Sequence, residues 1–227
     1  IAGSAEAVLL PIYHATWCSM RALAGDNEHP EKALKPFDLN RDGFIAGEGA
    51  CGMILEEYEQ AKARGARIYC EVIGYGSSND AYDMIGLDEA GRGLKRAVNA
   101  ALRKSGIDPS EINYINPHGS ATPLNDRVET RVFKEIMGKA AYNAAVSSVK
   151  PITGHCMGAS GSVEALACVM AIRDQKVAPT INYTTPDPEC DLDYVPNVAR
   201  SMPVNVAMTT SVGLGGHNSA VLFRKVN

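Results

Sequence analysis

Residues 165–172 are the part of this chain that most limits how it can fold. They lie inside a segment, 160–174, that reads as a helix, and every one of them is apolar, so this stretch of the helix has no polar face. A helix of this kind in a protein exposed to water must be covered on all sides. We therefore expect a layered α/β fold in which helices lie between two sheets.

Segments typical of strands and of helices alternate along the rest of the chain. The strand-like segments are short and rich in β-branched or aromatic residues, and the helix-like segments repeat apolar residues every three or four positions. This alternation is typical of α/β proteins. The predicted strands are 50–56, 68–76, 112–116, 144–148, 205–211 and 220–224, and the other predicted helices are 57–64, 89–104 and 125–137.

Glu164 stands at the head of the apolar helix. A buried carboxylate is costly unless a cation or several donors accompany it. Lys150 is the nearest candidate cation in the sequence. We therefore expect a buried pair between Lys150 and Glu164, within direct hydrogen-bond reach.

Three loops at predicted strand ends carry the residues best suited to chemistry. They span 116–123, 147–155 and 213–218, and they place His118, Lys150 and His155 in turns rich in Gly and Thr. Ligands of α/β folds gather where loops from different strand ends converge. Two histidines and a lysine on such ends can polarise a carbonyl, move protons or hold an anion.

Composition excludes some classes of function. Lys and Arg number 22 and Asp and Glu 26, so the net charge is −4, which gives no general attraction to a nucleic-acid backbone. No apolar run approaches the roughly 20 residues of a membrane span. The six cysteines show no C-x-x-C pair, and a reducing, cytoplasmic location follows as the expectation.

The histidines would allow one kind of metal site, a zinc site. His118 and His155 could combine with Cys156 or His217, but no short ligand spacing supports such a site. We therefore expect no metal. A metal hydrolase that uses the histidines is kept as an alternative function.

The three loops together resemble a known family. Residues 116–126, 147–164 and 210–218 are similar, in this order, to N-A-H-G-T-S-T-P-x-x-D, S-S-T-K-S-x-T-G-H-x-x-G-A-A-G-x-x-E and N-S-F-G-F-G-G-x-N. These are motifs of the β-ketoacyl-acyl-carrier-protein synthases, condensing enzymes of the thiolase superfamily. Segments 41–50 and 179–193 also match, so the resemblance covers essentially the whole chain.

The resemblance implies a fold and a division of the chain. It implies a thiolase-like layered αβαβα fold, mainly its C-terminal half. Residues 1–55 would be the end of the N-terminal half, and 56–227 the C-terminal half. Because residues 1–3 read as the end of a buried strand, we also expect the chain to be a fragment, or one chain, of a larger enzyme.

The resemblance also implies a reaction, a decarboxylative condensation in fatty-acid or polyketide synthesis. A cysteine takes an acyl group, a malonyl thioester loses carbon dioxide, and its carbanion attacks the acyl-cysteine to give a 3-oxoacyl product. His118 and His155 would donate hydrogen bonds to the malonyl thioester oxygen. Lys150 would orient the site and pair with Glu164.

The resemblance also implies which residues bind the substrate. Ser120 and Thr122 match hydroxyls that hold the pantetheine arm. Val212 and Leu214 stand where the family has two gate phenylalanines, and the Leu214 N–H matches an oxyanion donor. The substrates would be attached to the phosphopantetheine of an acyl carrier protein, and the enzyme would have no cofactor of its own. The expected partners are that carrier protein and a second copy in a homodimer.

The family's nucleophilic cysteine falls upstream of Ile1. None of the six cysteines occupies its motif, and Cys156 is adjacent to His155, where neighbouring side chains usually point apart. The expected further partner is therefore the N-terminal half that carries the nucleophile. A non-catalytic subunit resembling a chain-length factor is the alternative, although such subunits typically lose the catalytic residues that this chain retains.

Overall fold

The computed structural model describes residues 1–226, which form helices and short strands. None of the helices described is both long and apolar enough to cross a membrane. The strands are Ala2–Glu6 (β1), Gly49–Met53 (β2), Glu71–Asn79 (β3), Tyr114–Asn116 (β4), Ala145–Val146 (β5), Lys176–Val177 (β6), Arg200–Ser201 (β7), Val206–Gly213 (β8) and His217–Arg224 (β9). The helices are Pro11–Ser19 (α1), Pro30–Ala33 (α2), Tyr58–Ala63 (α3), Arg92–Ser105 (α4), Pro123–Met137 (α5), Lys150–Thr153 (α6) and Ser160–Asp174 (α7).

Five strands form one mixed sheet in the order β3-β9-β8-β4-β5. β4 runs parallel to both of its neighbours, β5 and β8, whereas β9 is antiparallel to β8 and β3. β1 with β2 and β6 with β7 form separate two-stranded antiparallel sheets. Because β4, β5 and β8 are parallel, the loops that follow them leave the same edge of the sheet.

Helices cover both faces of the five-stranded sheet. Met208 and Leu222 belong to a core that α4 and α5 complete, whereas the adjacent Ala207 and Phe223 belong to a second core with α7. Neighbouring residues of a strand point to opposite faces, so each strand feeds both cores. This confirms the layered α/β architecture.

α7 lies between the five-stranded sheet and the β1–β2 pair. On the β1 side, the hydroxyls of Ser4 and Ser162 are hydrogen-bonded at 2.5 Å. The prediction of full coverage is wrong, however, because Leu166 is 40% exposed and Met170 is half-buried. Among the residues described, the two short strands β1 and β2 cover only part of the side of α7 that faces away from the larger sheet.

The N-terminal strand also differs from the expectation of a buried strand end. β1 starts at Ala2 and alternates between half-buried and exposed residues, and Ile1 is 99% exposed. Successive residues of a strand point to opposite faces, which gives this alternation, and β1 pairs along its length with the glycine-rich β2.

A close backbone approach sets the position of His155. Ala46 forms a parallel bridge with His155, and a Cβ at the next residue, Gly47, would lie 3.0 Å from the Cα of Gly154. A Cβ at Gly47 would lie 2.6 Å from the carbonyl oxygen of Thr153. Only glycine therefore fits at position 47 without a shift of one backbone segment.

Gly47→Ala is expected to destabilise the fold by about 1–3 kcal/mol, because the added methyl group meets backbone that has no room to yield. Chemical denaturation measures the change. Gly52→Ala is the matched control, since a Cβ at Gly52 meets nothing within 4 Å. Equal stability of the two variants would contradict the close approach.

Candidate active site

The loops that carry His118, Lys150 and Leu214 leave one edge of the sheet. His118 follows β4, Lys150 follows β5 as the first residue of α6, and Leu214 follows β8. β4 lies between β5 and β8, so all three loops start side by side. The edge that the sequence pattern indicates is therefore formed by adjacent parallel strands.

His118 and His155 lie next to each other in the interior. Their ring centroids are 5.2 Å apart with an interplanar angle of 75°, and both residues are buried. Burial lowers the pKa of both imidazoles well below its ordinary value, and the Lys150 cation adds to this effect. Both rings are therefore neutral at physiological pH.

The structure fixes the tautomer of His155. The backbone N–H of Met157 donates to Nδ1 at 3.2 Å, so that nitrogen carries no proton. The Ser160 hydroxyl then also donates to Nδ1, at 3.0 Å. The proton resides on Nε2, which leaves His155 able to donate through that atom.

His118 is held by its backbone instead of its ring. Its Nδ1 is buried and has no hydrogen-bond partner among residues 1–226. Its backbone N–H donates to Glu129 at 2.7 Å, and its carbonyl oxygen accepts from Lys150 Nζ. A partner that locks the tautomer is therefore present for His155 but not for His118.

Lys150 and Glu164 form the predicted pair. Lys150 Nζ donates to Glu164 Oε1, and both side chains are about 1% exposed. Burial raises the pKa of Glu164 to about 6, although the Lys150 cation opposes the increase. Because the ammonium also donates to the His118 carbonyl, Lys150 links the head of α7 to the first histidine loop.

Glu129 is a buried carboxylate that the sequence reasoning missed. It accepts hydrogen bonds from the N–H groups of His118 and Gly119, both at 2.7 Å, from the Asn125 amide at 2.9 Å and from the Thr210 hydroxyl at 3.0 Å. Burial raises its pKa to about 7 against the effect of these donors. Its place on the apolar stripe of the predicted helix 125–137 was an available signal.

Ser120 and Thr122 lie together at the start of α5. Their hydroxyls are hydrogen-bonded at 3.0 Å, with Ser120 buried and Thr122 half-buried. Gly119 precedes them with φ +45°, and a Cβ there would lie 2.7 Å from Ser148. The turn thus brings two hydroxyls next to the His118 backbone.

Val212 and Leu214 lie where β8 ends and the loop after it begins. Val212 is half-buried against the larger core, whereas the Leu214 side chain is 58% exposed. No hydrogen bond or ring contact within residues 1–226 joins Leu214 to either histidine. The turn is tied instead to residues 79–84, for example by the Gly215 N–H donating to Met84 O at 2.8 Å.

Cys156 is not arranged as a nucleophile. Its thiol points to the carbonyl oxygens of Thr153 and Gly154, at 3.5 and 3.8 Å, and not to a histidine ring. Burial raises the pKa of this thiol, which disfavours the reactive thiolate. Among residues 1–226, no group of three or more His, Cys, Asp or Glu side chains is placed so that it could hold a metal ion.

Two family profiles match the chain. "Beta-ketoacyl synthase, N-terminal domain" matches residues 1–61, and "Beta-ketoacyl synthase, C-terminal domain" matches residues 69–184. The division of the chain into halves at residues 1–55 and 56–227 stays a prediction, since matched ranges do not test where one folded half ends and the other begins.

Individual proteins resemble the chain along its whole length. The 3-oxoacyl-[acyl-carrier-protein] synthase 2 of Synechocystis sp. is 51% identical over 225 residues, which is 99% of this chain and 54% of that protein. A structure of a type II PKS acyl-carrier protein in complex with its ketosynthase has a TM-score of 0.94 at 42% identity, covering 98% of this chain and 55% of that one. The ishigamide ketosynthase/chain length factor has a TM-score of 0.90 at 34% identity, covering 100% and 53%. The chain spans about half the length of the curated relatives it matches.

Proposed function

Because this chain belongs to the β-ketoacyl synthase family, we propose that it supplies the malonyl-activating part of a 3-oxoacyl-[acyl-carrier-protein] synthase. The observation that carries the proposal is the pair of buried, neutral imidazoles whose ring centroids are 5.2 Å apart. Two neutral donors at one point suit an oxygen that gains negative charge without being protonated outright.

The reaction uses these donors when the malonyl thioester loses carbon dioxide. The bond between the methylene carbon and the carboxylate breaks, and its electron pair passes to the thioester enolate. His155, with its proton on Nε2, donates to the enolate oxygen, and His118 donates from its own ring. The enolate carbon then attacks the carbonyl of the acyl-cysteine, and the cysteine thiolate leaves.

Lys150 and Glu164 hold the site in shape. The ammonium is bound by the Glu164 carboxylate and by the carbonyl oxygen of His118, so it fixes the loop that bears this histidine. Its charge also disfavours protonation of both rings, which keeps them as donors with a neutral charge.

The proposed substrate arm enters beside Ser120 and Thr122. Their paired hydroxyls offer donors and acceptors for the amides of a pantetheine chain. Val212 lies near the end of β8 and Leu214 in the loop that follows this strand, with the exposed Leu214 available to contact an acyl chain. The carrier of this arm is an acyl carrier protein, and the enzyme needs no cofactor of its own and acts as a homodimer.

The synthase is favoured over a chain-length-factor-like subunit by the site itself. His118, Lys150, His155 and Glu164 are all present and joined by contacts. A subunit without chemistry has no requirement for two neutral histidines around a buried ion pair.

The test uses the protein at its natural length and measures two half-reactions separately. Release of carbon dioxide from malonyl-carrier thioester reports malonyl activation, and loading of radiolabelled acyl groups reports acyl transfer. We expect both, followed by a 3-oxoacyl product when both substrates are present. Absence of carbon dioxide release would refute the proposed role of the histidines.

The 227-residue chain by itself is expected not to condense acyl and malonyl thioesters. None of its cysteines occupies the family's nucleophile position, and the Cys156 thiol is directed at backbone carbonyls. Product formation is followed by mass spectrometry with the natural-length protein as the positive control. Turnover by the chain alone that disappears in Cys156→Ser would show that Cys156 serves as the nucleophile.

A further inference from the structure

The ring of His155 has an aromatic neighbour, Phe44, that the catalytic proposal does not use. Phe44 meets it edge-to-face, with centroids 5.0 Å apart and an angle of 66°. The backbone that follows Phe44 also binds His155. The His155 N–H donates to Ile45 O at 2.8 Å, and the His155 carbonyl oxygen accepts from Gly47 N at 3.0 Å. One short segment, 44–47, therefore contacts both the backbone and the ring of this histidine.

Phe44 is itself fixed by α1 and the segment that follows it. Trp17, near the end of α1, packs edge-to-face on Phe44 with centroids 6.0 Å apart and an angle of 73°. The Phe44 N–H donates to Ala22 O at 3.0 Å, and its carbonyl accepts from Ala24 N at 2.9 Å. Trp17 and Phe44 are both buried in a small core separate from the two cores of the sheet.

The hydrogen bonds of His155 do not by themselves fix the plane of its ring. The torsion between Cβ and the ring has a broad energy profile, so a ring bound at one nitrogen can still rock. The Met157 N–H and the Ser160 hydroxyl both donate to Nδ1, so neither of these two hydrogen bonds orients Nε2. Edge-to-face packing is directional, and the Phe44 ring supplies such a contact in addition to the edge-to-face contact that His118 makes with the His155 ring.

We propose that Phe44 and Trp17, here named the aromatic brace, are positioning residues that fix the direction in which His155 presents Nε2–H. The aromatic brace rests on the proposed function for its role in malonyl decarboxylation, but its effect on the ring is a property of the folded chain. Small errors in the direction of a catalytic donor cost large factors in rate.

The experiment compares Phe44→Leu with Phe133→Leu in the natural-length protein. Leucine removes the ring and keeps an apolar side chain. Phe133 is a matched control, because it is buried in the larger core on α5. For Phe44→Leu we expect kcat for malonyl decarboxylation to fall about tenfold with KM unchanged, and Phe133→Leu to leave kcat unchanged.

Nuclear magnetic resonance of ¹⁵N-histidine gives a readout independent of activity. In the unmodified protein, the two His155 nitrogens should have separate shifts, with Nδ1 unprotonated and Nε2 protonated. Phe44→Leu should move the two shifts toward each other and raise the pKa of His155 toward its ordinary value, because the ring rocks and water reaches it. Phe133→Leu should change neither.

Trp17 provides a second pair of variants in case Phe44→Leu does not fold. Trp17→Phe keeps a ring against Phe44 and should retain kcat, whereas Trp17→Leu should lower it. Unchanged His155 shifts and unchanged kcat in Phe44→Leu, or in Trp17→Leu if only that variant folds, would overturn the aromatic brace and leave the proposed function intact. If the unmodified protein releases no carbon dioxide, the proposed function fails, and the ¹⁵N shifts still decide whether the brace exists.

Discussion

His118→Ala and His155→Ala are each expected to lower malonyl decarboxylation about 10²–10³-fold, the typical loss when one oxyanion donor is removed. Both rings are neutral, because burial and the Lys150 cation lower the pKa of each. Each therefore contributes a donor and not a charge. Acyl transfer to the nucleophilic cysteine does not form this enolate, so it should persist in both variants.

Measuring the two half-reactions separately distinguishes these roles. Carbon dioxide release should fall in each variant, while acyl loading stays near that of the unmodified protein. His217→Ala is the control, because His217 is an exposed histidine at the start of β9. If a variant spares decarboxylation and abolishes only acyl loading, the role assigned to that histidine is wrong.

The neutral state of the rings also sets a pH dependence. Lowering the pKa of His118 and His155 well below the ordinary value keeps both rings unprotonated through the mildly acidic range. Decarboxylation should therefore not decline near the ordinary pKa of histidine, 6.5. Glu129 and Glu164 have pKa values of about 7 and about 6, so they titrate in the same range. A decline centred there would contradict the neutral rings if the ¹⁵N shifts of His118 or His155 change over the same pH range.

Local pattern was enough to predict most elements of the sheet and its helices. The helix predicted at 160–174 has those bounds in α7, and helix 125–137 corresponds to α5 with two more residues at its start. β3 lies at Glu71–Asn79 and not at 68–76, because tertiary pairing with β9 decides where the strand begins. α1 was not predicted, since Pro11–Ser19 mixes apolar and polar residues without a clear stripe.

The sequence predicts mainly those site residues that lie in the loop after a predicted strand. His118 and Lys150 each follow a strand, so sequence position alone suggested that they meet. The adjacency of β4, β5 and β8, which makes them meet, follows from sheet order, and a sequence pattern does not encode that order directly. The contact of Phe44 with His155 has no local signal at all, because it joins residues far apart in the chain.

Lys150→Met is expected to lower the free energy of unfolding by about 3–5 kcal/mol, the usual cost of leaving one partner of a buried ion pair alone. The pair is fully enclosed, since both side chains are about 1% exposed. The variant would leave the Glu164 carboxylate without its cation at the head of an apolar helix. Chemical denaturation at pH 8 measures the loss.

Lys95→Met is the matched control for this substitution. Lys95 pairs with Glu135 at 2.8 Å, but the two side chains are 45% and 40% exposed. An exposed pair contributes less than about 1 kcal/mol. The double variant Lys150→Met with Glu164→Met should recover part of the loss, because apolar residues often replace a buried pair without penalty. Unchanged stability in Lys150→Met would show that the pair does not support the fold.

The loss in Lys150→Met should also grow with pH. The pKa of Glu164 in the folded protein is about 6, above the ordinary 4.5, so its contribution is fully present below pH 4.5 and is lost as the pH rises through 6. Without Lys150 burial raises this pKa further, and the loss continues to higher pH. Unfolding measured at pH 5 and pH 8 should therefore show the smaller deficit at pH 5. A deficit that is the same at both values would mean that Glu164 finds another partner.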